Sequence, residues 1–221
     1  MTEPLKITVL ISGGGSNLQA IINARDSGRL NVEIAHVISN VAGAGGLGRA
    51  EQAGISSTIL PQGEFDSREA FDRALALLIA ASDPDLVVLA GFMRIIGPAV
   101  LEPFQGRLIN LHPSLLPLYR GTGTYRRAIE SGDRKHGASI HFVTEELDGG
   151  PVISQVAIPI TAQDSPDSLA ERLSPREHDL IVATVELFTR HRVERSVGTV
   201  HVDGKELDRP LLLQPDGRLH P

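Results

Sequence analysis

Short apolar runs alternate with segments of helical spacing in the first half of the chain, and this alternation restricts the possible folds more than any other feature. Residues 6–11 form such a run, and residues 17–24 follow with helical periodicity. Further apolar runs lie at 32–38, 57–60 and 85–90. Strands that alternate with helices form parallel sheets, because each helix returns the chain to the edge where the previous strand began. The sequence therefore predicts an α/β fold, with a Rossmann-like, open, twisted and mostly parallel sheet and helices on both faces.

The pattern changes after a fifth apolar run at 107–112. The runs at 138–143 and 151–157 are separated by a short loop, which predicts an antiparallel pair and hence an antiparallel edge toward the C terminus. The Asp203-Gly204 pair between short β-prone segments is typical of a hairpin.

Two helix boundaries are predicted from capping residues and proline. Asp66 is expected to cap the helix that runs through Phe71 to Ile79. A helix is also expected from 165 to about 190, broken or kinked at Pro175, because proline has no N–H and clashes with the preceding turn.

No repeat or interdomain linker interrupts the chain, so a single domain over residues 1–221 is expected. Within it, we expect residues 1–105 to form mainly a phosphate- or nucleotide-binding half, residues 106–195 a catalytic and co-substrate-binding half, and residues 196–221 a C-terminal hairpin and tail.

Composition argues against several classes of function. The chain has no cysteine, which excludes disulfides, thiolate catalysis and cysteine-type zinc sites. Its eight histidines are scattered, so no metal is expected, and a net charge of −6 argues against nucleic acid held on a basic surface. No apolar run approaches about 18 residues and no apolar segment precedes the first strand, so we expect a cytoplasmic protein without a membrane partner.

A glycine-rich loop, Ser12-Gly-Gly-Gly-Ser-Asn17, joins the first strand to the first helix. Backbone N–H groups at a helix start bind phosphate. The dinucleotide fingerprint is incomplete, because Leu18 replaces its third glycine and the second strand ends at Asn40 rather than at an acid. The loop therefore suits one phosphate or a mononucleotide, and a tight turn that needs glycine for its conformation alone is the alternative.

Asn110, His112 and Asp148 combine the groups that acyl transfer requires. Asn110 and His112 share one face of a strand that ends at Pro113, because alternate strand residues point the same way. Asp148 precedes two glycines and can supply a carboxylate to the histidine. An amide donor, an imidazole and a carboxylate can stabilise an oxyanion while moving a proton. A carboxylate near His112 is expected to raise its pKa and keep it charged near pH 7.

The motif Asn110-Leu-His-Pro-Ser-Leu-Leu-Pro, with the distant Leu147-Asp-Gly-Gly-Pro, resembles the formyltransferases that take a one-carbon unit from 10-formyltetrahydrofolate. The resemblance extends from the first strand through Glu177-His178. It implies that 10-formyltetrahydrofolate is the co-substrate and that the amine acceptor is glycinamide ribonucleotide, in purine biosynthesis. It also implies a monomer or homodimer that acts on small molecules.

The resemblance assigns roles to individual residues of this chain. The catalytic residues are Asn110, His112 and Asp148, and His141 is a supporting polar group. The residues that match the ribonucleotide site are Gly15, Ser16, Asn17, Ser174, Pro175, Arg176 and Glu177. The residues that match the folate site are Arg68, Met93, Arg94, Ile95, Ile96, Asn110, Thr144, Glu145, Glu146, Leu147 and Asp148.

The chain departs from this pattern at two places. Gly123 and Tyr125 stand where two histidines are common, and the preceding Tyr-Arg-Gly is closer to relatives that formylate other amines. Ser174-Pro-Arg-Glu177 also has the form of a capping box, so Glu177 serves the helix, the ribose or both.

Three other functions are alternatives to formylation of glycinamide ribonucleotide. Formylation of a sugar amine rests on the Tyr-Arg-Gly segment. Hydrolysis of formyltetrahydrofolate uses a similar trio, but those hydrolases carry a regulatory domain before the first strand, where this chain has five residues. A non-catalytic nucleotide-binding module leaves Asn110, His112 and Asp148 unexplained.

Overall fold

A computed structural model gives the structure of the protein and describes residues 3–221. The chain divides into two compact units, the first ending at Asn110 and the second running from Leu111 to Pro221. The expectation of a single domain over the whole chain stays a prediction. No helix among the described residues is long and apolar enough to cross a membrane.

The first unit contains a parallel sheet with strand order β5-β4-β1-β2-β3. Its elements are β1 (Leu5–Ile11), α1 (Ser16–Asp26), β2 (Val32–Ser39), α2 (Gly45–Gln52), β3 (Ser57–Ile59), a 3₁₀ turn (Gln62–Glu64), α3 (Arg68–Ala81), β4 (Leu86–Leu89), α4 (Pro98–Leu101) and the start of β5 (Leu108–His112). The central strand β4 is apolar throughout, and the buried part of β1 is apolar except for Thr8, as expected for a sheet covered on both faces. The predicted parallel α/β architecture is confirmed.

The parallel strands place several predicted site residues at one edge of this sheet. The carboxyl ends of neighbouring parallel strands lie at the same edge, which is where open α/β sheets bind ligands. The glycine-rich loop follows β1, the 93–96 segment follows β4, and Asn110 lies near the end of β5.

The second unit begins within β5 and is built on an antiparallel pair. Its elements are α5 (Thr124–Glu130), β6 (Lys135–Phe142), β7 (Val152–Pro159), α6 (Pro166–Arg190), β8 (Val193–Arg195), β9 (Val200–Val202), β10 (Lys205–Glu206), β11 (Leu211–Leu213) and β12 (Leu219–His220). The expected β6–β7 pair is antiparallel. The expected hairpin joins β9 and β10 with positive φ at both turn residues, 51° at Asp203 and 79° at Gly204, as a two-residue hairpin loop requires. Strand β11, which the sequence did not predict, pairs parallel with β7 and antiparallel with β12.

The predicted cap at Asp66 and the predicted break at Pro175 were wrong, whereas the alternative of a kink at Pro175 stays a prediction. Ser67, rather than Asp66, caps α3, because its hydroxyl accepts the N–H of Ala70 at 3.1 Å. The segment 166–190 is one helix that is not divided at Pro175, and its cap is the reciprocal Ser165–Ser168 pair. Ser174 therefore caps nothing.

Helix α6 continues past Pro175 because packing and exposure both favour it. Leu173 and Leu180, on either side of the proline, are fully buried and hold the helix against the core. Pro175 leaves the carbonyl of Glu171 without its helical donor, but both residues are exposed, so water can serve that carbonyl.

Candidate active site

Gly15 is required by the conformation of the glycine-rich loop. It lies in the left-handed region, with φ of 73°, immediately before Ser16 begins α1. A Cβ atom at Gly15 would lie 2.5 Å from the Cα of Gly46, whose N–H donates to the carbonyl of Gly13. A side chain at Gly15 would therefore strain the backbone and displace α2. The conformation of the turn therefore explains why residue 15 is glycine.

The loop has a fixed cation that the sequence analysis missed. The Nε of Arg49, in α2, donates to the carbonyl of Gly14 at 2.8 Å, and its Nη1 donates to Gln19 at 3.0 Å. Because Arg49 is distant in sequence, only the folded packing of α2 on the loop reveals it. The side-chain oxygen of Asn17 is buried and has no hydrogen-bond partner among the described residues, so it could accept from a ligand.

Ser12 joins the glycine-rich loop to the 93–96 segment. Its hydroxyl accepts the N–H of Met93 at 2.8 Å and donates to Asn40 at 2.5 Å, and its own N–H donates to Gly91. The predicted phosphate loop and one predicted folate segment are thus hydrogen-bonded to each other within the first unit.

Arg68, another predicted folate residue, also contacts the 93–96 segment. Its Nη2 donates to the carbonyl of Ile95 at 3.0 Å, and its Nε lies 3.7 Å from the buried carboxylate of Asp72. Burial raises the pKa of Asp72, while the charges of Arg68 and Arg94 oppose that shift. The Arg94 guanidinium lies over the Phe71 ring at 4.1 Å.

The 93–96 segment presents apolar side chains to solvent. Met93 is 79% exposed and Ile95 is 48% exposed, while Ile96 is buried. Exposed apolar groups at the carboxyl edge of a parallel sheet could contact a flat ligand ring.

His112 lies at the end of β5, buried between two acceptors. Its Nε2 donates to the carbonyl oxygen of Tyr119 at 3.0 Å, and its Nδ1 lies 3.4 Å from Oδ2 of Asp148. Burial lowers the pKa of His112, and this effect exceeds the opposing effects of the Tyr119 carbonyl and the Asp148 charge. The expectation that Asp148 keeps His112 charged near pH 7 is therefore wrong, because desolvation outweighs the ion pair.

Asp148 lies beside one backbone N–H group and two histidine rings. It accepts the N–H of Gly121 at 2.9 Å, and its Oδ1 lies 3.6 Å from Nε2 of His141. Burial raises the pKa of Asp148, but the contacts with His141, Gly121 and His112 together lower it below its usual value. The carboxylate is thus an anion at neutral pH, and His141 is placed to support it. Asn110 precedes His112 by two residues in β5 and is half-buried.

The 144–148 loop is tied to the segment after Pro117. Arg120 forms an ion pair with Glu146, and the hydroxyl of Thr144 donates to the carbonyl of Glu146 at 3.3 Å. Glu145 and Leu147 are exposed, so this loop can present them to a ligand.

Glu177 lies in the middle of α6 and does not cap it. Its carboxyl accepts the hydroxyl of Tyr125 at 3.1 Å, and burial raises the Glu177 pKa to about 7. The Tyr125 ring packs edge-on against His136, with centroids 5.0 Å apart. Tyr125, one of the two departures from the family pattern, is therefore the partner of Glu177.

The other residues of the 174–177 segment make contacts within the second unit. Ser174 lies 3.5 Å from Nε2 of His178, and Arg176 pairs with Asp179 at 2.9 Å. Arg176 also donates to the carbonyl of Gln214 at 3.3 Å. Within residues 3–221, no group of three or more His, Cys, Asp or Glu side chains could hold a metal ion.

Comparison with known proteins gives consistent results. The profile of a family described as formyl transferase matches residues 5–185. The chain is 49% identical to the phosphoribosylglycinamide formyltransferase of Escherichia coli over 92% of its own length and 96% of that protein.

Solved structures agree in fold over most of the chain. The phosphoribosylglycinamide formyltransferase of Coxiella burnetii superposes with a TM-score of 0.88 at 48% identity, covering 93% of this chain and 96% of that one. A formyltetrahydrofolate deformylase from Pseudomonas syringae pv. tomato superposes with a TM-score of 0.84 at 26% identity, covering 91% of this chain and 66% of that one.

Proposed function

This chain belongs to the formyl transferase family, and from that premise we propose that it transfers the formyl group of 10-formyltetrahydrofolate to the amine of glycinamide ribonucleotide. The products are the N-formyl ribonucleotide and tetrahydrofolate, in purine biosynthesis. The observation that carries the chemistry is the buried His112–Asp148 pair, with 3.4 Å between Nδ1 and Oδ2. The identity of 49% to a relative with this acceptor supports the choice of amine.

The lowered pKa of His112 makes it a base in the resting enzyme. The amine attacks the formyl carbon, a carbon–nitrogen bond forms, and the carbonyl oxygen becomes an oxyanion. His112 takes the proton that the amine loses, and the Asp148 anion stabilises the imidazolium that results. The carboxamide of Asn110 donates to the oxyanion. When the tetrahedral intermediate collapses, the bond to N10 of the folate breaks and His112 returns the proton to that nitrogen.

The ribonucleotide site uses the glycine-rich loop. The N–H groups at Gly15, Ser16 and Asn17 meet the single phosphate at the start of α1, where the helix dipole also favours an anion. Arg49 adds a positive charge beside the loop. Glu177 meets the ribose, and Ser174, Pro175 and Arg176 form the adjoining part of α6.

The folate site uses exposed apolar residues and one arginine. Met93 and Ile95 contact the pterin ring, with Arg94 and Ile96 in the same segment. Arg68 meets the carboxylate tail of the folate, and the 144–148 loop covers the pterin. The proposal includes no metal ion and no cofactor other than this co-substrate, and it places the enzyme in the cytoplasm.

The experiment compares three reactions at saturating 10-formyltetrahydrofolate. One contains glycinamide ribonucleotide, one contains a sugar amine, and one contains no amine. Release of tetrahydrofolate is followed spectroscopically, and the formylated product is identified by mass. We expect turnover only with the ribonucleotide. Equal release without an amine would instead identify a hydrolase, and turnover with the sugar amine alone would change the acceptor.

A further inference from the structure

The turn at residues 119–121 contacts both members of the His112–Asp148 pair through its backbone. The carbonyl oxygen of Tyr119 accepts the Nε2–H of His112 at 3.0 Å. The N–H of Gly121 donates to Oδ2 of Asp148 at 2.9 Å. One short turn thus orients the imidazole and the carboxylate of the proposed reaction.

The side chain of Tyr119 anchors this turn. Tyr119 has φ of 55°, a left-handed conformation that is unfavourable for a residue with a Cβ and persists only where its surroundings hold it. Its hydroxyl donates to Oδ2 of Asp133 at 2.7 Å, and the guanidinium of Arg127 lies 5.2 Å from its ring centroid. Arg127 also donates to the carbonyl of Arg120 at 2.7 Å.

The position of the Tyr119 carbonyl determines the tautomer of His112. Both ring nitrogens face groups that can only accept, but Nε2 lies closer to its acceptor, 3.0 Å from the Tyr119 carbonyl against 3.4 Å from Nδ1 to Asp148, so Nε2 carries the hydrogen in the neutral ring. Nδ1 then has the lone pair, and it lies 3.4 Å from the Asp148 carboxylate. Nδ1 is therefore the nitrogen that can take a proton and hold it beside a carboxylate.

We propose that Tyr119 is a positioning residue: anchored to Asp133, it holds its carbonyl at Nε2 of His112 and so makes Nδ1 the nitrogen that takes and returns the proton. This inference rests on the proposed function, because it concerns the proton transfer of formyl transfer. Tyr119 itself touches no reacting atom.

The test replaces Tyr119 with phenylalanine, which keeps the ring and removes the hydroxyl. We expect kcat to fall about tenfold while both KM values change less than about twofold, since orientation of the base affects the transition state and not substrate binding. In ¹⁵N-labelled enzyme, His112 should be the Nε2–H tautomer in the wild type and a mixture of both tautomers in the Tyr119→Phe variant.

Asp133→Ala removes the acceptor of the same hydrogen bond. It should give a similar loss of kcat, and the double variant should lose little more than either single one. Asp203→Asn is the matched control: it alters the carboxylate of a distant pair, 2.7 Å from His191, and should leave kcat and the His112 tautomer unchanged.

Wild-type kcat and an unchanged His112 tautomer in folded Tyr119→Phe or Asp133→Ala enzyme would overturn the inference. If Tyr119→Phe does not fold, Asp133→Ala decides the question with the same two measurements. Failure of the proposed function is a separate result: the wild type would then formylate no ribonucleotide, whereas the NMR comparison would still report whether Tyr119 sets the tautomer.

Discussion

At the scale of single residues, His112 shows how burial and hydrogen bonding compete. Both ring nitrogens face acceptors, which favours the charged ring, but the side chain is only 7% exposed, which disfavours it more strongly. Since the pKa of His112 is lowered, most molecules carry a neutral ring at pH 7. A neutral imidazole beside an aspartate anion is poised to accept a proton, and the aspartate then stabilises the charge.

This arrangement predicts the direction of the pH dependence. A base works when deprotonated, so kcat/KM should be constant near neutral pH and fall as the pH drops through the His112 pKa, below the usual value for histidine. Asp148→Asn removes a charge that raises this pKa, so it should lower kcat and move the acid limb to still lower pH. The measurements are pH–rate profiles and an NMR titration of His112.

His141→Asn serves as the comparison for Asp148→Asn, because His141 lies 3.6 Å from Oδ1 of Asp148, the carboxylate oxygen that does not face His112. A profile in which activity rises as the pH falls through the His112 pKa would show that the charged ring is the active form. Fully additive losses in a His112→Ala, Asp148→Asn double variant would show that the two residues act independently.

At the scale of structural elements, the start of α1 combines a left-handed glycine with the proposed phosphate site. Gly15→Ala introduces a methyl group into a left-handed residue, 2.5 Å from the Cα of Gly46. We expect it to raise the KM for glycinamide ribonucleotide at least about tenfold, equivalent to about 1.4 kcal/mol, while the KM for the folate changes little. Steady-state kinetics with each substrate varied in turn will check this.

Gly14→Ala is the matched control in the same loop. No atom lies within 4 Å of a Cβ at Gly14, and its φ is not in the left-handed region. If both variants raise the ribonucleotide KM equally, strain at Gly15 is not the cause. If neither does, the loop is only a turn and the phosphate assignment fails.

Pro175 in the interior of α6 costs helix stability. Pro175→Ala supplies an N–H for the carbonyl of Glu171 and removes the ring clash, so we expect the free energy of unfolding to rise by about 1–3 kcal/mol in urea titrations. Pro166→Ala is the control, since proline at the first turn lacks only an N–H that has no helical partner there. Equal effects of the two substitutions would contradict this explanation.

At the scale of the whole molecule, the sequence predicted the elements that local patterns determine. Apolar alternation located β1 to β7, and the Asp203-Gly204 pair located the last hairpin. The continuity of α6 was not predicted, because it depends on the burial of Leu173 and Leu180. Strand β11 was missed because only its pairing with β7 makes it a strand.

The candidate site was predicted less completely, for a physical reason. Motifs identified His112 and Asp148, whose side chains form the buried pair that carries the proposed chemistry. The contacts from Tyr119 and Gly121 use backbone atoms, which leave no compositional signal. The pKa of His112 could not be predicted either, because desolvation depends on how completely the folded chain encloses the ring.

Glu177 links the proposed substrate site to the stability of the whole molecule. The pKa of Glu177 is raised from its ordinary value of 4.5, expected in the unfolded chain, to about 7 in the folded protein. Burial disfavours the charged carboxylate, and this effect exceeds that of the hydrogen bond donated by Tyr125. As the pH rises from about 4.5 to about 7, the unfolded chain therefore releases this proton first, and the folded state loses stability relative to it. Above about pH 7 the full cost is present, on the order of 3 kcal/mol at about 1.4 kcal/mol per pKa unit.

Glu177→Gln should remove this cost while its carbonyl still accepts from Tyr125. We expect the variant to unfold at higher urea than the wild type at pH 8 and to differ little from it at pH 5. Glu171→Gln, at an exposed position on the same helix, should show no such pH-dependent difference. A Glu177→Gln effect of equal size at both pH values would mean that the side chain contributes through packing or hydrogen bonding alone. A gain at pH 8 alone would instead show that the folded protein retains a buried carboxyl whose charge lowers its stability.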